Sequence, residues 1–105
     1  MVNKLENIKE VEIAQGFKGK FLHSNSFTIA YWEISKDAIL KEHKHIHEQI
    51  THVTEGILEL TVNNTTHILE AGSVVIIPPN IPHSGKAITN CKVTDTFCPV
   101  REDFK

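Results

Sequence analysis

Four histidines, His43, His45, His47 and His52, fall within ten residues of this chain, in the stretch HKHIHEQITHVTEG of residues 43–56, with Glu48 and Gln49 among them. So dense a set of imidazoles points to metal chemistry. The neutral ring offers a lone pair that suits Zn, Fe, Ni or Cu and needs little deprotonation at neutral pH. On an extended chain His43 and His45 share one face, because side chains alternate with period two, so this pair could bind one ion. A fifth histidine, His83, closes the segment PPNIPH, whose three prolines in six residues exclude helix and central strand and imply a rigid loop. Which rings are ligands stays open at this level. His23 and His67 stand alone on expected strands and receive no role.

The elements that must position these rings read as strands. Residues 9–14 and 17–23 are two short strands parted by Gly16, with Gly19 marking a bulge in the second. Residues 27–34, FTIAYWEI, place Phe27, Ile29, Tyr31 and Glu33 on one face and Thr28, Ala30, Trp32 and Ile34 on the other. Both faces carry apolar groups, and both are expected to be covered. Residues 35–40 turn into the histidine stretch, and strands follow over 49–54 and 57–62, with a tight turn at Glu55-Gly56. Asn63-Asn64 closes a hairpin onto residues 66–69, since asparagine tolerates the left-handed conformation that short hairpins demand. Residues 74–77 are a buried apolar run, and a last strand covers 91–97 before a polar, proline-broken tail. No useful segment shows a 3.6-residue apolar period, so the expectation is an all-β sandwich or barrel.

Composition narrows the function classes. At 105 residues the chain is expected to form one domain, and 40% hydrophobic with 23% charged residues fits a globular protein. No apolar run reaches membrane-spanning length, and the charged start MVNKLENIKEVEI lacks a signal core, so a cytoplasmic protein is expected. A net charge of −2 with interspersed Lys and Glu leaves no basic patch for nucleic acid. Cys91 and Cys98, seven apart on a strand, would lie roughly 20 Å from each other, which makes them free thiols.

Two separated motifs, HxHxxxQ(x)6G over residues 43–56 and G(x)5PxNxxH over residues 72–83, resemble the pair that marks the cupin superfamily. The first is usually written with Glu where this chain has Gln49, the second with Gly where it has Asn80. The resemblance implies a single cupin domain over residues 1–105, a jelly-roll β-barrel, and one metal held inside by His43, His45, Gln49 and His83. A rival frame of His45, His47 and His52 leaves Gly56 at the wrong distance and turns His52 away from Gln49. His47 and His52 are then partly exposed rings or neighbours of the ligands, and Glu48 is a surface charge. The ion would be one divalent transition metal, Ni, Zn, Fe or Mn. A neutral amide donor at Gln49 keeps the full charge of that ion, which favours Lewis-acid work.

The tail VTDTFCPVRED, together with HEQI and PPNIPH, looks like the small single-domain cupins of pectin and alginate breakdown, which convert 4,5-unsaturated uronic acids to the linear keto form. That likeness assigns Asp95, Phe97 and Arg101 to the pocket beside the metal. Asp95 and Phe97 share a strand face, Asp95 could move a proton, and Arg101 offers a fork for a uronate carboxylate. The partner implied is a small sugar acid, and a homodimer is expected, with the apolar faces of residues 27–34 available for it. Two rivals use the same fold, a metal-dependent dioxygenase and a non-catalytic sugar-binding or sensor protein.

Overall fold

Alternation of apolar and polar side chains decides the architecture. In the computed structural model, which describes residues 1–105, the strands are β1 (Val11–Ala14), β2 (Phe17–His23), β3 (Thr28–Ile34), β4 (Ile39–His43), β5 (Glu48–Glu55), β6 (Leu58–Val62), β7 (Thr65–Leu69), β8 (Val74–Ile77), β9 (His83–Ala87) and β10 (Cys91–Cys98). They form a six-stranded sheet, β1-β2-β3-β10-β5-β8, and a four-stranded sheet, β4-β9-β6-β7. Every pairing is antiparallel. The inner faces meet in one core, to which β3 and β10 give Ala30, Trp32, Val93 and Phe97 and the smaller sheet gives Leu58, Leu60, Leu69 and Ala87. The all-β jelly roll expected from the sequence is therefore the fold observed.

Several turns follow the expected chemistry. Val62 pairs with Thr65, and both residues between them, Asn63 (φ 48°) and Asn64 (φ 65°), are left-handed, as a two-residue hairpin of the primed type requires. Gly56 has φ +84°, and a Cβ there would collide with the Asn90 carbonyl. Cys91 and Cys98 are both free, as their spacing implied.

Other expectations need correction. Gly19 is not at a bulge: it pairs regularly with Trp32 in β3, and the irregularity lies in β1 between Glu12 and Ala14. Gly19 leaves room for the Trp32 ring, which would be 2.8 Å from an added Cβ. The outer face of β3 is only partly covered, since Ile29 and Tyr31 are half-buried and Glu33 is exposed. Residues 83–87, HSGKA, form β9 rather than a loop end, joining β4 to β6 through main-chain bonds that their side chains do not advertise. No helix is long and apolar enough to cross a membrane.

Gly56→Ala should therefore lose more stability than Gly72→Ala. Both positions have positive φ, so each costs about 1–3 kcal/mol of backbone strain, but an added Cβ at Gly72 meets nothing while one at Gly56 meets main chain. Urea titration of the two variants checks this, and equal losses would remove the steric argument at Gly56.

Candidate metal centre

Strand pairing brings two of the expected rings together, and a loop brings the third. His43 ends β4 opposite His83, the first residue of β9, and their ring centroids are 4.3 Å apart. His45 is not on the same strand face as His43, as an extended reading had it, because β4 stops at His43 and residues 44–47 form the loop into β5. That loop still turns its ring inward, 4.9 Å from His83 and 5.7 Å from His43. Asn80, in the proline loop, holds it there by donating its N–H to the His45 carbonyl at 2.7 Å. Asn80 has φ +61°, a conformation that glycine and asparagine tolerate best, which accounts for asparagine at a position usually written as glycine. One ligand atom from each of His43, His45 and His83 falls within 4.8 Å of the others, a group that could hold a metal ion.

The hydrogen bonds orient the three rings alike. Nδ1 of His43 meets the Lys41 carbonyl at 2.9 Å, Nδ1 of His45 the His47 carbonyl at 3.1 Å, and Nδ1 of His83 the Ile81 carbonyl at 2.8 Å. A carbonyl only accepts, so each Nδ1 carries the proton and each Nε2 offers a lone pair. Nε2 of His83 is buried with no hydrogen-bond partner. Nε2 of His45 faces Oε1 of Gln49 at 3.0 Å, while the amide nitrogen of Gln49 donates to Thr51 at 2.9 Å. Two acceptors thus face each other, an arrangement that a shared cation resolves. Protonation does not resolve it near neutrality: burial, then the charges of Arg101 and His83, lower His45 to about 4, and burial also lowers His83. Neutral nitrogen and oxygen donors converging in this way fit a divalent transition metal.

The other histidines are placed differently. His47 is buried rather than partly exposed, and its Nε2 donates to the Val100 carbonyl at 3.2 Å, the opposite tautomer from the three rings above. His52 and Glu48 are exposed on β5, where Gln49, Thr51 and Val53 take the inward positions. The frame of His45, His47 and His52 therefore does not converge. His23 bonds Thr28 at 2.8 Å, and His67 is exposed.

A cavity of about 270 Å³ opens beside two of the three rings and is lined by His43, Gln49, His83, Asp95, Phe97 and Arg101 together with apolar core residues. Asp95 and Phe97 take inward positions of β10, as their spacing implied. Asp95 is the one buried carboxylate, accepting from Trp32 Nε1 at 2.9 Å and from the Thr51 hydroxyl at 2.7 Å. Burial raises its pKa, while these hydrogen bonds and Arg101 oppose the rise. The Arg101 guanidinium packs into the corner made by two edge-to-face rings, 4.6 Å from the Phe97 centroid and 4.0 Å from that of Phe104. Its fork is held by Asp103, at 3.0 and 2.8 Å, and that pairing lowers the Asp103 pKa.

The tail is thus a packed wall rather than a polar end: Val100 and Arg101 are buried, and Glu102–Phe104 make a 3₁₀ turn that sets Phe104 against Phe21 and Trp32. Sequence reasoning passed over Trp32, Thr51, Asp103 and Phe104 as site residues. Only Thr51 carried a signal, its even spacing from Gln49 on one strand.

A two-sheet jelly roll with an imidazole group at its mouth defines a class, and comparison with known proteins agrees. The profile of the cupin domain matches residues 30–97. Over 96 residues the chain is 32% identical to the pectin degradation protein KdgF of Dickeya dadantii (strain 3937), covering 89% of this chain and 87% of that one. A crystal structure of an RmlC-like cupin from Shewanella frigidimarina NCIMB 400 superposes with a TM-score of 0.93 at 29% identity, covering 98% of this chain and 94% of that one. KdgF from Halomonas sp. superposes at 0.89 with 22% identity, covering 95% and 94%. The chain belongs to the cupin family.

The purified protein is expected to carry about one transition metal per chain, as a site with a single converging donor set does. Elemental analysis should show that metal lost in His83→Ala and His45→Ala and kept in His52→Ala. Retention in His83→Ala would mean that the ion is held elsewhere.

Proposed function

We propose that this chain holds one divalent transition metal through His43, His45, Gln49 and His83 and catalyses ring opening and tautomerisation of 4,5-unsaturated uronic acids to the linear keto form. The observation that carries the reading is a buried carboxylate, Asp95, sharing one cavity with His43 and His83 of the three-histidine group, with Gln49 and with a guanidinium. The likeness to a pectin degradation protein supports it. A bound divalent ion would supply Lewis acidity toward the substrate's hydroxyl and carboxylate oxygens.

The chain's own residues supply the rest. Asp95, its pKa raised toward the working range by burial, takes the proton of the anomeric hydroxyl as the bond from the anomeric carbon to the ring oxygen breaks. The ring oxygen leaves as an enolate, and the same carboxyl returns that proton to the double-bond carbon as the enolate becomes a ketone. Atoms balance with no oxidant or second substrate. Phe97, only 2% exposed, excludes water from that exchange. Arg101 offers its planar fork to the uronate carboxylate, which must displace Asp103. That exchange is easy, because the Asp103 side chain is 60% exposed and its ion pair is partly screened by solvent.

The test is the ultraviolet absorbance of a 4,5-unsaturated galacturonate, which should decay faster with the protein than in buffer. Asp95→Asn should slow the decay by about 10²–10⁴-fold, the usual weight of a general acid-base group. Wild-type speed in that variant would remove Asp95 from the proton path. Oxygen uptake tied to the substrate would favour a dioxygenase, and binding without decay a sensor.

We also infer a homodimer, formed on the outer face of the six-stranded sheet rather than on β3 alone. Cross-strand pairing lines up Ile29, Thr96, Ile50 and Ile76 in one row, and Ile50 and Ile76 are 41% and 65% exposed. Light scattering should give twice the chain mass, and Ile50→Glu with Ile76→Glu should halve it.

A further inference from the structure

Thr51 occupies an inward position of β5 two residues beyond Gln49 and is 3% exposed. Its hydroxyl accepts from Gln49 Nε2 at 2.9 Å and donates to Asp95 Oδ1 at 2.7 Å, while the other oxygen of Asp95 accepts from Trp32 Nε1 at 2.9 Å. The direction of this chain is forced by the chemistry of its ends. An indole only donates, a carboxylate only accepts, and a hydroxyl has a single proton. With that proton given to Asp95, Thr51 can only accept from residue 49, so residue 49 must present an N–H. An amide that turns its nitrogen to Thr51 turns its oxygen to His45, where Oε1 lies 3.0 Å from Nε2.

We propose that Thr51 is a positioning residue for the metal centre: it converts the buried charge of Asp95 into the orientation of the Gln49 amide, so that Oε1 and not Nε2 faces the ion. The proposal rests on the reading of Gln49 as a ligand. It also accounts for an amide at a position usually written as Glu. A carboxylate there has no proton for Thr51, whose hydroxyl would then serve two acceptors with one hydrogen. The Gln49 side chain also reaches the Asp95 carboxylate directly, but without the hydroxyl the amide nitrogen loses its 2.9 Å partner and is freer to turn toward the lone pair of His45. In that orientation it caps the donor that the ion needs.

The experiment measures Zn²⁺ and Ni²⁺ affinity of the full chain by competition with a coloured chelator, with the melting temperature of metal-free protein as the check on folding. Thr51→Val should weaken binding about 10–100-fold, the effect of removing a partner that orients a ligand, and Thr51→Ser should restore it. In a Gln49→Glu background the Thr51→Val penalty should largely vanish, because the two oxygens of a carboxylate are equivalent. Equal affinity of Thr51→Val and wild type, or the same penalty in both backgrounds, would reduce Thr51 to packing. Should Thr51→Val fail to fold, Asp95→Asn probes the chain from its other end: its amide can donate to Thr51 and free the hydroxyl proton, so metal binding should weaken. Unchanged affinity there overturns the proposal. If wild-type protein binds neither ion, the metal centre itself is wrong, and Thr51's role falls with it.

Discussion

Three imidazole rings converge in this fold with their Nδ1 edges turned away to main-chain carbonyls, and much of the surrounding structure exists to hold them there. Each ring gives its Nδ1 proton to a carbonyl two residues away, Lys41, His47 or Ile81, so ring orientation is set by local backbone shape. That shape is supplied from a distance. The pairing of β4 with β9 sets His43 against His83, and the left-handed Asn80 ties the proline loop to the His45 loop. The Nε2 atom of His83, buried without a partner, leaves a desolvated acceptor whose cost is about 1–3 kcal/mol. Binding a cation removes that cost, so metal affinity and folding stability draw on the same geometry.

Much of this was legible in the sequence because period-two alternation and motif spacing are written in residue order. Asp95 and Phe97 could be placed on one inward face before any coordinates, and so could the turn at Asn63-Asn64. What failed were the features that residue order does not encode. β9 is HSGKA, a strand with a serine, a glycine and a lysine at its centre, held by main-chain bonds to β4 and β6; no side-chain pattern announces it. His45 was placed on a strand with His43, yet a loop delivers it to the same site, so the spacing was informative while the geometry inferred from it was not. The glycine opposite Trp32 serves ring packing, which depends on a residue 13 positions later in the chain.

The tail shows why a polar composition can mislead. Asp103 and Phe104 belong to a stretch that reads as a polar end, yet Arg101, which the likeness sets in the pocket, packs against two aromatic rings and is stabilised by cation–π contacts worth about 0.5–2 kcal/mol as well as by its ion pair. Phe104 is the nearer of those rings and also touches Phe21 and Trp32. Arg101 is further anchored through its main-chain N–H, which donates to the buried hydroxyl of Thr28 at 2.9 Å. The guanidinium is therefore fixed in position while its fork is closed only by an exposed carboxylate. A ligand carboxylate would replace like with like, at small cost in both desolvation and order.

The same economy of charge bears on Gln49. Asp95 is already a buried carboxylate whose ionisation is opposed by burial, and it meets residue 49 both through the Thr51 hydroxyl and directly. A second carboxylate at residue 49 would place two like charges one side chain apart in a low-dielectric cavity, pushing one of them toward protonation. The charge best placed to oppose that is Arg101, which Asp103 already engages. A neutral amide avoids the conflict and leaves Asp95 as the cavity's one buried carboxylate. On the proposed reading, the amide that would be the weaker metal donor at residue 49 is also what would leave Asp95 free to exchange a proton with a substrate.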